Sequence, residues 1–270
     1  MEKKRADWTR EIAEDCPVKI LEKGKTAETL YYVDSISCFD DRMQAIARST
    51  AKILNGAGID FGILGKAERD SGHEVRRFGE EMLFQDLKDR NTDAILNCGA
   101  TKIVTADPHA YNALKKDYRD IPPVEHISQT IVQTVKSGKI RLKSVEDGGK
   151  TYVYHDPCYL GRHNSLYDDP RAAIDAVPGL KRVEMEGNCR DRSFCCGGGG
   201  LMLFYEPEED QRMGVLRVEM AKNAGANVIV TACPFCLVNI EDAIKVAGLE
   251  GEMGAIDLCE LIAGHMVTGS

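Results

Sequence analysis

The sequence predicts an α/β protein of two similar lobes, each a mainly parallel sheet flanked by helices and both arising from an internal duplication. Three observations predict it. Short β-rich runs alternate with amphipathic stretches along the chain, the pattern of parallel sheets with helices packed on both faces. A decapeptide recurs, since Gly99-Ala100-Thr101-Lys102-Ile103-Val104-Thr105-Ala106-Asp107-Pro108 and Gly225-Ala226-Asn227-Val228-Ile229-Val230-Thr231-Ala232-Cys233-Pro234 agree at seven of ten positions with an offset of 126. Chemically distinctive residues gather just after the predicted strands, where open α/β sheets carry their sites.

In the first half, residues 30–33 read as strand, 41–54 as an amphipathic helix stopped at Gly56, 61–64 as strand, 77–96 as helix and 103–105 as a buried strand. Pro108 then opens another helix. The second half repeats the pattern: strand 152–154, helix 170–177, strand 182–185, helix 206–224, strand 228–231 and a helix over 234–246. A turn signal at Asp147-Gly148-Gly149 marks the seam near residues 146–150. The expected organisation is an N-terminal extension over 1–28, one lobe over 29–147 and a second over 148–270.

With 270 residues, 43% of them apolar and 29% charged, the chain has enough interior for a real core and no composition bias toward disorder. Forty-three acidic against 35 basic residues give a net charge of −8, which opposes nucleic acid or an anionic lipid surface as the main partner. No apolar run approaches the roughly 18 residues of a spanning helix, and the first fifteen residues lack the apolar stretch of a secretory signal. A cytoplasmic location is therefore expected. In a reducing compartment ten cysteines point to metal binding or redox chemistry rather than disulfides.

Five cysteines of the second half fall in three predicted strand-end loops: Cys158, the pair Cys195-Cys196, and Cys233 with Cys236. Their spacing is Cys-x36-Cys-Cys-x36-Cys-x2-Cys. Loops from neighbouring strand ends can converge, and thiolates are soft ligands for iron–sulfur clusters or zinc, although five exceed the tetrahedron of zinc. The four glycines at 197–200 allow close backbone approach with N–H groups turned toward sulfur. Pro234 suits the first position of a helix, which would set Cys233 and Cys236 near the positive end of its dipole and favour their thiolates. The glycine run lacks the Gly-x-Gly-x-x-Gly spacing of a nucleotide site.

Cys-x36-Cys-Cys-Gly together with Cys-Pro-x-Cys resembles the cysteine-rich CCG domain of the B and D components of heterodisulfide reductase and of related iron–sulfur oxidoreductases, including the iron–sulfur component of glycolate oxidase. Lys4-Arg5-Ala6-Asp7-Trp8 and Tyr154-His155-Asp156-Pro157-Cys158-Tyr159-Leu160-Gly161-Arg162 are similar to segments of that family. The resemblance implies a non-cubane [4Fe-4S] cluster on Cys158, Cys195, Cys196, Cys233 and Cys236. It also implies a role as one subunit of a redox complex, with a ferredoxin-like iron–sulfur subunit and a flavin-containing subunit as partners.

The first half departs from that pattern. Positions corresponding to the cysteines read Ser35, Asp70, Ser71, Asp107 and Ala110, so no family-type cluster is expected there. The Asp34, Asp70, His73, Asp107 and His109 set at the same loops, carboxylates and imidazoles able to bind a hard metal, reads rather as a solvated relic, and Cys38, Cys98 and Cys259 read as small core side chains. Cys189 reads as a solvent-facing loop cysteine, and His155 and His163 flank Cys158, either as donors to the site or as strand-end caps. The chain lacks a Cys-x2-Cys-x2-Cys run, so electrons are expected through another polypeptide or another part of a longer one. Three functions are compatible with these residues: thiol or disulfide reduction, an electron relay, and a zinc-bound structural or adaptor domain without redox activity.

Overall fold

The computed structural model describes residues 2–22, 24–146, 148–205, 208 and 212–267. The chain divides into two compact units, Met1–Ile140 with the last residue and Arg141–Gly269. Asp147 of the expected seam turn and most of the expected start of the 206–224 helix lie outside the described residues.

In the first unit, β1 (Lys19–Ile20), β2 (Thr29–Tyr31), α1 (Ser35–Phe39), α2 (Gln44–Gly56), β3 (Phe61–Ile63), α3 (His73–Phe78), α4 (Glu81–Asn97), β4 (Lys102–Thr105), α5 (Pro108–Lys116), β5 (Val124–His126) and α6 (Ile127–Lys136) follow in order. The second unit runs β6 (Thr151–Tyr154), α7 (Asp168–Asp175), β7 (Lys181–Val183), α8 (Met213–Asn223), β8 (Val228–Thr231), α9 (Pro234–Val246), β9 (Gly254–Asp257) and α10 (Leu258–His265). The sheets are ordered β1-β3-β2-β4-β5 and β7-β6-β8-β9, and every pairing is parallel.

The two sheets share one topology, with β1 added at the edge of the first. Leu30 pairs with Ile103 in one and Val153 with Ile229 in the other, the equivalent position of each repeat. In both, the chain steps from a central strand to one side and then returns to the other, so β2/β4 and β6/β8 are the points where strand order reverses. The region beyond the carboxyl ends of the strands at such a point is the usual ligand position in these folds. The central strands β2 and β6 are buried at every residue, which is why they read as continuous apolar and aromatic runs instead of alternating ones.

The expected helix over 77–96 is two helices. Gly79 adopts φ +102°, ends α3 in a left-handed conformation, and α4 starts two residues later. The first residues of the chain pack into the first unit: Trp8 is 1% exposed and meets Tyr31 edge-on at 6.3 Å. Replacing Trp8 with alanine is expected to destabilise this unit by about 3–5 kcal/mol, read as a lowered urea midpoint by circular dichroism. A midpoint unchanged from that of the parent would refute the packing role.

Candidate metal centre

Each cysteine of the second unit is positioned by a local rule of its loop. The ladder runs one residue past β6, where His155 N–H donates to Val230 O at 2.8 Å, and the chain then turns at Pro157, whose carbonyl accepts from Leu160 and Gly161 N–H. Gly161 lets the Tyr167 ring lie close against the turn, since a Cβ there would stand 2.6 Å from it. After β8, Cys233 is the N-cap of α9, Pro234 fills its first position and Cys236 lies in the first turn. The Cys195-Cys196 loop is tied down by Asn239 of α9, which donates to Cys196 O, and by the close approach of Gly214, whose absent Cβ would stand 3.3 Å from that carbonyl.

These loops bring the five thiols into one continuous series of contacts. Cys158 and Cys195 hydrogen bond, Cys195 meets Cys196, Cys196 Sγ lies 3.3 Å from Cys236 Sγ, and Cys236 meets Cys233. Cys196, Cys233 and Cys236 are buried, while Cys158 and Cys195 are partly exposed. Hydrogen bonds from the Cys158 and Cys196 thiols push the Cys195 thiol far down. The contact with Cys195 pushes Cys158 and Cys196 up, and Cys236 is raised by Cys196 and Cys233. The sulfurs share protons because bare thiolates this close repel, and a metal centre would replace those protons with positive charge.

The surroundings favour negative sulfur. Gly197 N–H donates to Cys195 Sγ at 3.3 Å and Gly198 N–H to Cys196 Sγ at 3.5 Å. Gly197 holds φ +90°, and a Cβ on Gly198 would meet Phe235 O at 3.2 Å, so this backbone could not come so close with side chains. Arg217 of α8 is 0% exposed, and its hydrogen bonds go to neutral groups: His155 Nδ1 at 2.9 Å, Asn188 O at 2.8 Å and Ser193 Oγ at 3.4 Å. A buried guanidinium without a hydrogen-bonded carboxylate fits beside an anionic centre. Burial lowers its pKa to about 10, which still leaves it charged at neutral pH.

His155 carries the effect of Arg217 to the thiols. Its Nδ1 accepts from Arg217, so its ring proton is on Nε2, and a ring nitrogen lies within 4.8 Å of the Cys196 and Cys236 sulfurs. Burial keeps this imidazole neutral. His163 is exposed and stacks on Tyr159 at 4.5 Å. A second network braces the loops: Arg171 binds Asp156 through Nη1 at 2.6 Å and Nη2 at 2.8 Å, and Glu184 through Nε at 2.7 Å. Asp156 in turn accepts from Arg190 N–H at 2.8 Å, and its carbonyl accepts from Ser193 Oγ at 3.2 Å, on the segment leading to Cys195.

Arg217 and Arg171 are not legible in the sequence as site residues. The signal for Arg217 is a basic residue in the buried register of α8, shared with Gly214, Val218 and Ala221. The remaining cysteines fall mostly as expected: Cys38, Cys98 and Cys259 are buried, with Cys98 Sγ bonded to Ile95 O at 3.1 Å, while Cys189 is only partly exposed. The first-unit pocket differs from its expectation of a solvated relic. Asp34, His73, Asp107 and His109 are all buried, because the helices that follow β2, β3 and β4 close over the strand ends. Burial takes the His73 pKa down to about 4 and pushes the Asp34 carboxyl well up, assisted by Asp70 and Asp107.

Two parallel sheets of like topology, with five cysteines gathered at the switch point of one of them, define a cysteine-rich α/β protein. The chain belongs to the CCG cysteine-rich domain family, which matches residues 35–115 and 152–241. It is 41% identical over 267 residues to the probable iron-sulfur-binding oxidoreductase FadF of Bacillus subtilis, covering 97% of this chain and 37% of that protein. It is 35% identical over 269 residues to the EtfAB:quinone oxidoreductase of Syntrophomonas wolfei, covering 96% and 37% respectively. With the D component of the dihydromethanophenazine:CoB--CoM heterodisulfide reductase of Methanosarcina barkeri the identity is 32% over 257 residues, covering 91% and 60%. The chain thus spans between 37% and 60% of the length of these curated relatives. No helix among the described residues is long and apolar enough to cross a membrane.

Proposed function

We propose that this chain is the cysteine-rich part of an iron–sulfur oxidoreductase and holds one non-cubane [4Fe-4S] cluster on Cys158, Cys195, Cys196, Cys233 and Cys236. The 148–270 lobe would carry the centre, and the 29–147 lobe would carry no cluster ligands. The observation that carries this reading is the unbroken series of four contacts that joins the five cysteines at the β6/β8 switch point. Relatives named for iron–sulfur binding and for heterodisulfide reduction support the same chemistry. When bound, such a cluster stores and passes single electrons or engages a thiol sulfur.

The residues around it have separable tasks. Gly197 and Gly198 direct N–H groups at sulfur, Arg217 supplies the compensating charge, and His155, which accepts from Arg217 at Nδ1, has a ring nitrogen within 4.8 Å of the buried Cys196 and Cys236 thiols. A cavity of about 430 Å³ lined by Gly197, Met202, Tyr205, Met213, Val238 and Asn239 opens beside the cysteine loop, and it supports access by a partner or a substrate. Electrons would come from a ferredoxin-like iron–sulfur subunit or a flavin-containing one, in a cytoplasmic complex. The name of one relative, an EtfAB:quinone oxidoreductase, supports a relay of this kind.

The test is iron and acid-labile sulfide content of anaerobically purified protein, with low-temperature EPR. About four irons per chain and a signal unlike a cubane are expected, whereas zinc without sulfide would overturn the proposal in favour of a structural domain. Arg217→Gln is expected to make the potential more negative by on the order of tens of millivolts, since a buried positive charge no longer offsets the added electron. Arg217→Lys should restore most of that shift, which a purely structural role would not predict.

A further inference from the structure

The first unit places nitrogen and oxygen donors at the strand ends where the second places sulfur. His73 and Glu74 open α3 after β3, and His109 follows Pro108 at the start of α5 after β4. His73 Nδ1 lies 2.8 Å from Glu74 Oε1, and His109 Nδ1 lies 2.6 Å from the same oxygen. The two imidazoles stand 4.9 Å apart with a 39° tilt, and donor atoms of all three buried side chains fall within 4.8 Å of one another.

Backbone geometry holds the three groups in place. Gly72 adopts φ +75°, and a Cβ on it would meet the Phe84 ring at 2.7 Å, so only glycine lets α3 begin at His73 here. Asp107 Oδ1 accepts from His109 N–H at 2.7 Å and fixes the first turn of α5. The acidic side chains of the pocket also leave room for a cation. Glu74 and Asp107 are buried in this unit in addition to Glu68, and Arg5, bound to Glu68 at 3.0 Å, is the buried Arg or Lys among its described residues. An excess of buried carboxylate is costly unless positive charge offsets it.

We propose that His73, Glu74 and His109 form a site for a borderline divalent transition metal, of which Zn²⁺ is the representative. Two imidazoles and a carboxylate are the protein ligands of open zinc sites, leaving a further position for water or a ligand. Donors on a tetrahedral shell of roughly 2.1 Å radius stand about 3.4 Å apart, so the two imidazole nitrogens, now 2.8 and 2.6 Å from the Glu74 oxygen, would each draw back from it by less than about 1 Å to admit an ion. The site is independent of the cysteine centre: its donors are N and O, and they belong to the other unit.

Co²⁺ and Zn²⁺ titrations of the full chain test it, because cobalt on N and O donors gives weak visible bands without thiolate charge transfer. The parent is expected to bind one Co²⁺ of the N/O type, and this band should persist in Cys196→Ser. Glu74→Gln and His109→Asn should each weaken that binding at least about 100-fold, with far-ultraviolet circular dichroism and labile sulfide unchanged in Glu74→Gln. If His109→Asn does not fold, Glu74→Gln decides. Absence of an N/O cobalt band in the parent, or unchanged affinity in Glu74→Gln, would overturn the assignment.

Discussion

Cys196→Ser is expected to strip the chain of nearly all its acid-labile sulfide and to bring iron from about four per chain to one or fewer. Cys196 stands in the middle of the series: it meets Cys195 on one side, it lies 3.3 Å from Cys236 on the other, and its carbonyl is held by Asn239. Serine keeps nearly the same volume but supplies a harder donor that stays protonated, so the ligand is lost while the loop is kept. Cys98→Ser serves as the control, because its thiol is buried in the core of the other unit and bonds to Ile95 O. Iron and sulfide content in Cys196→Ser equal to that of the parent would refute the ligand assignment.

Arg171→Met is expected to lower the stability of the second unit by about 3–5 kcal/mol, because it leaves the buried Asp156 carboxylate without its cation. Side chains of Arg171 and Asp156 are 5% and 2% exposed, so solvent screens this pair little. Glu184 is more exposed and shares the guanidinium, so it contributes less. Thermal unfolding should fall by about 10 °C in a unit of this size. Arg171→Lys should recover only part of the loss, since an ammonium cannot reach both oxygens of Asp156 and Glu184 together. Loss of labile sulfide is expected alongside, because Asp156 also anchors Arg190 and Ser193 ahead of Cys195. A midpoint within about 2 °C of the parent would show the network to be dispensable.

Much of the architecture is readable from local pattern. The helix expected over 234–246 matches α9 at both ends, since Pro234 can only start a helix and Gly248 follows its close. The repeat predicts two like sheets, and the equivalent pairs Leu30–Ile103 and Val153–Ile229 bear this out. Other elements are hidden. β1 has two residues, and β9 begins at Gly254 and gains its order from pairing with β8 across four positions, so neither carries a periodic signal of its own. The break at Gly79 escapes the pattern because helical spacing continues across it, while the backbone turns left-handed.

Residue spacing alone predicted the α/β class, the duplication and the five cysteines, because those depend on neighbours within a few positions or on a repeated string. Only the tertiary structure decided which charges face those cysteines and which buried donors face one another. Arg217 lies 62 residues beyond His155 and His109 lies 36 beyond His73 in the sequence, so nothing local relates them. They meet because parallel strands carry distant loops to one edge of a sheet, and burial there makes an unbalanced charge matter.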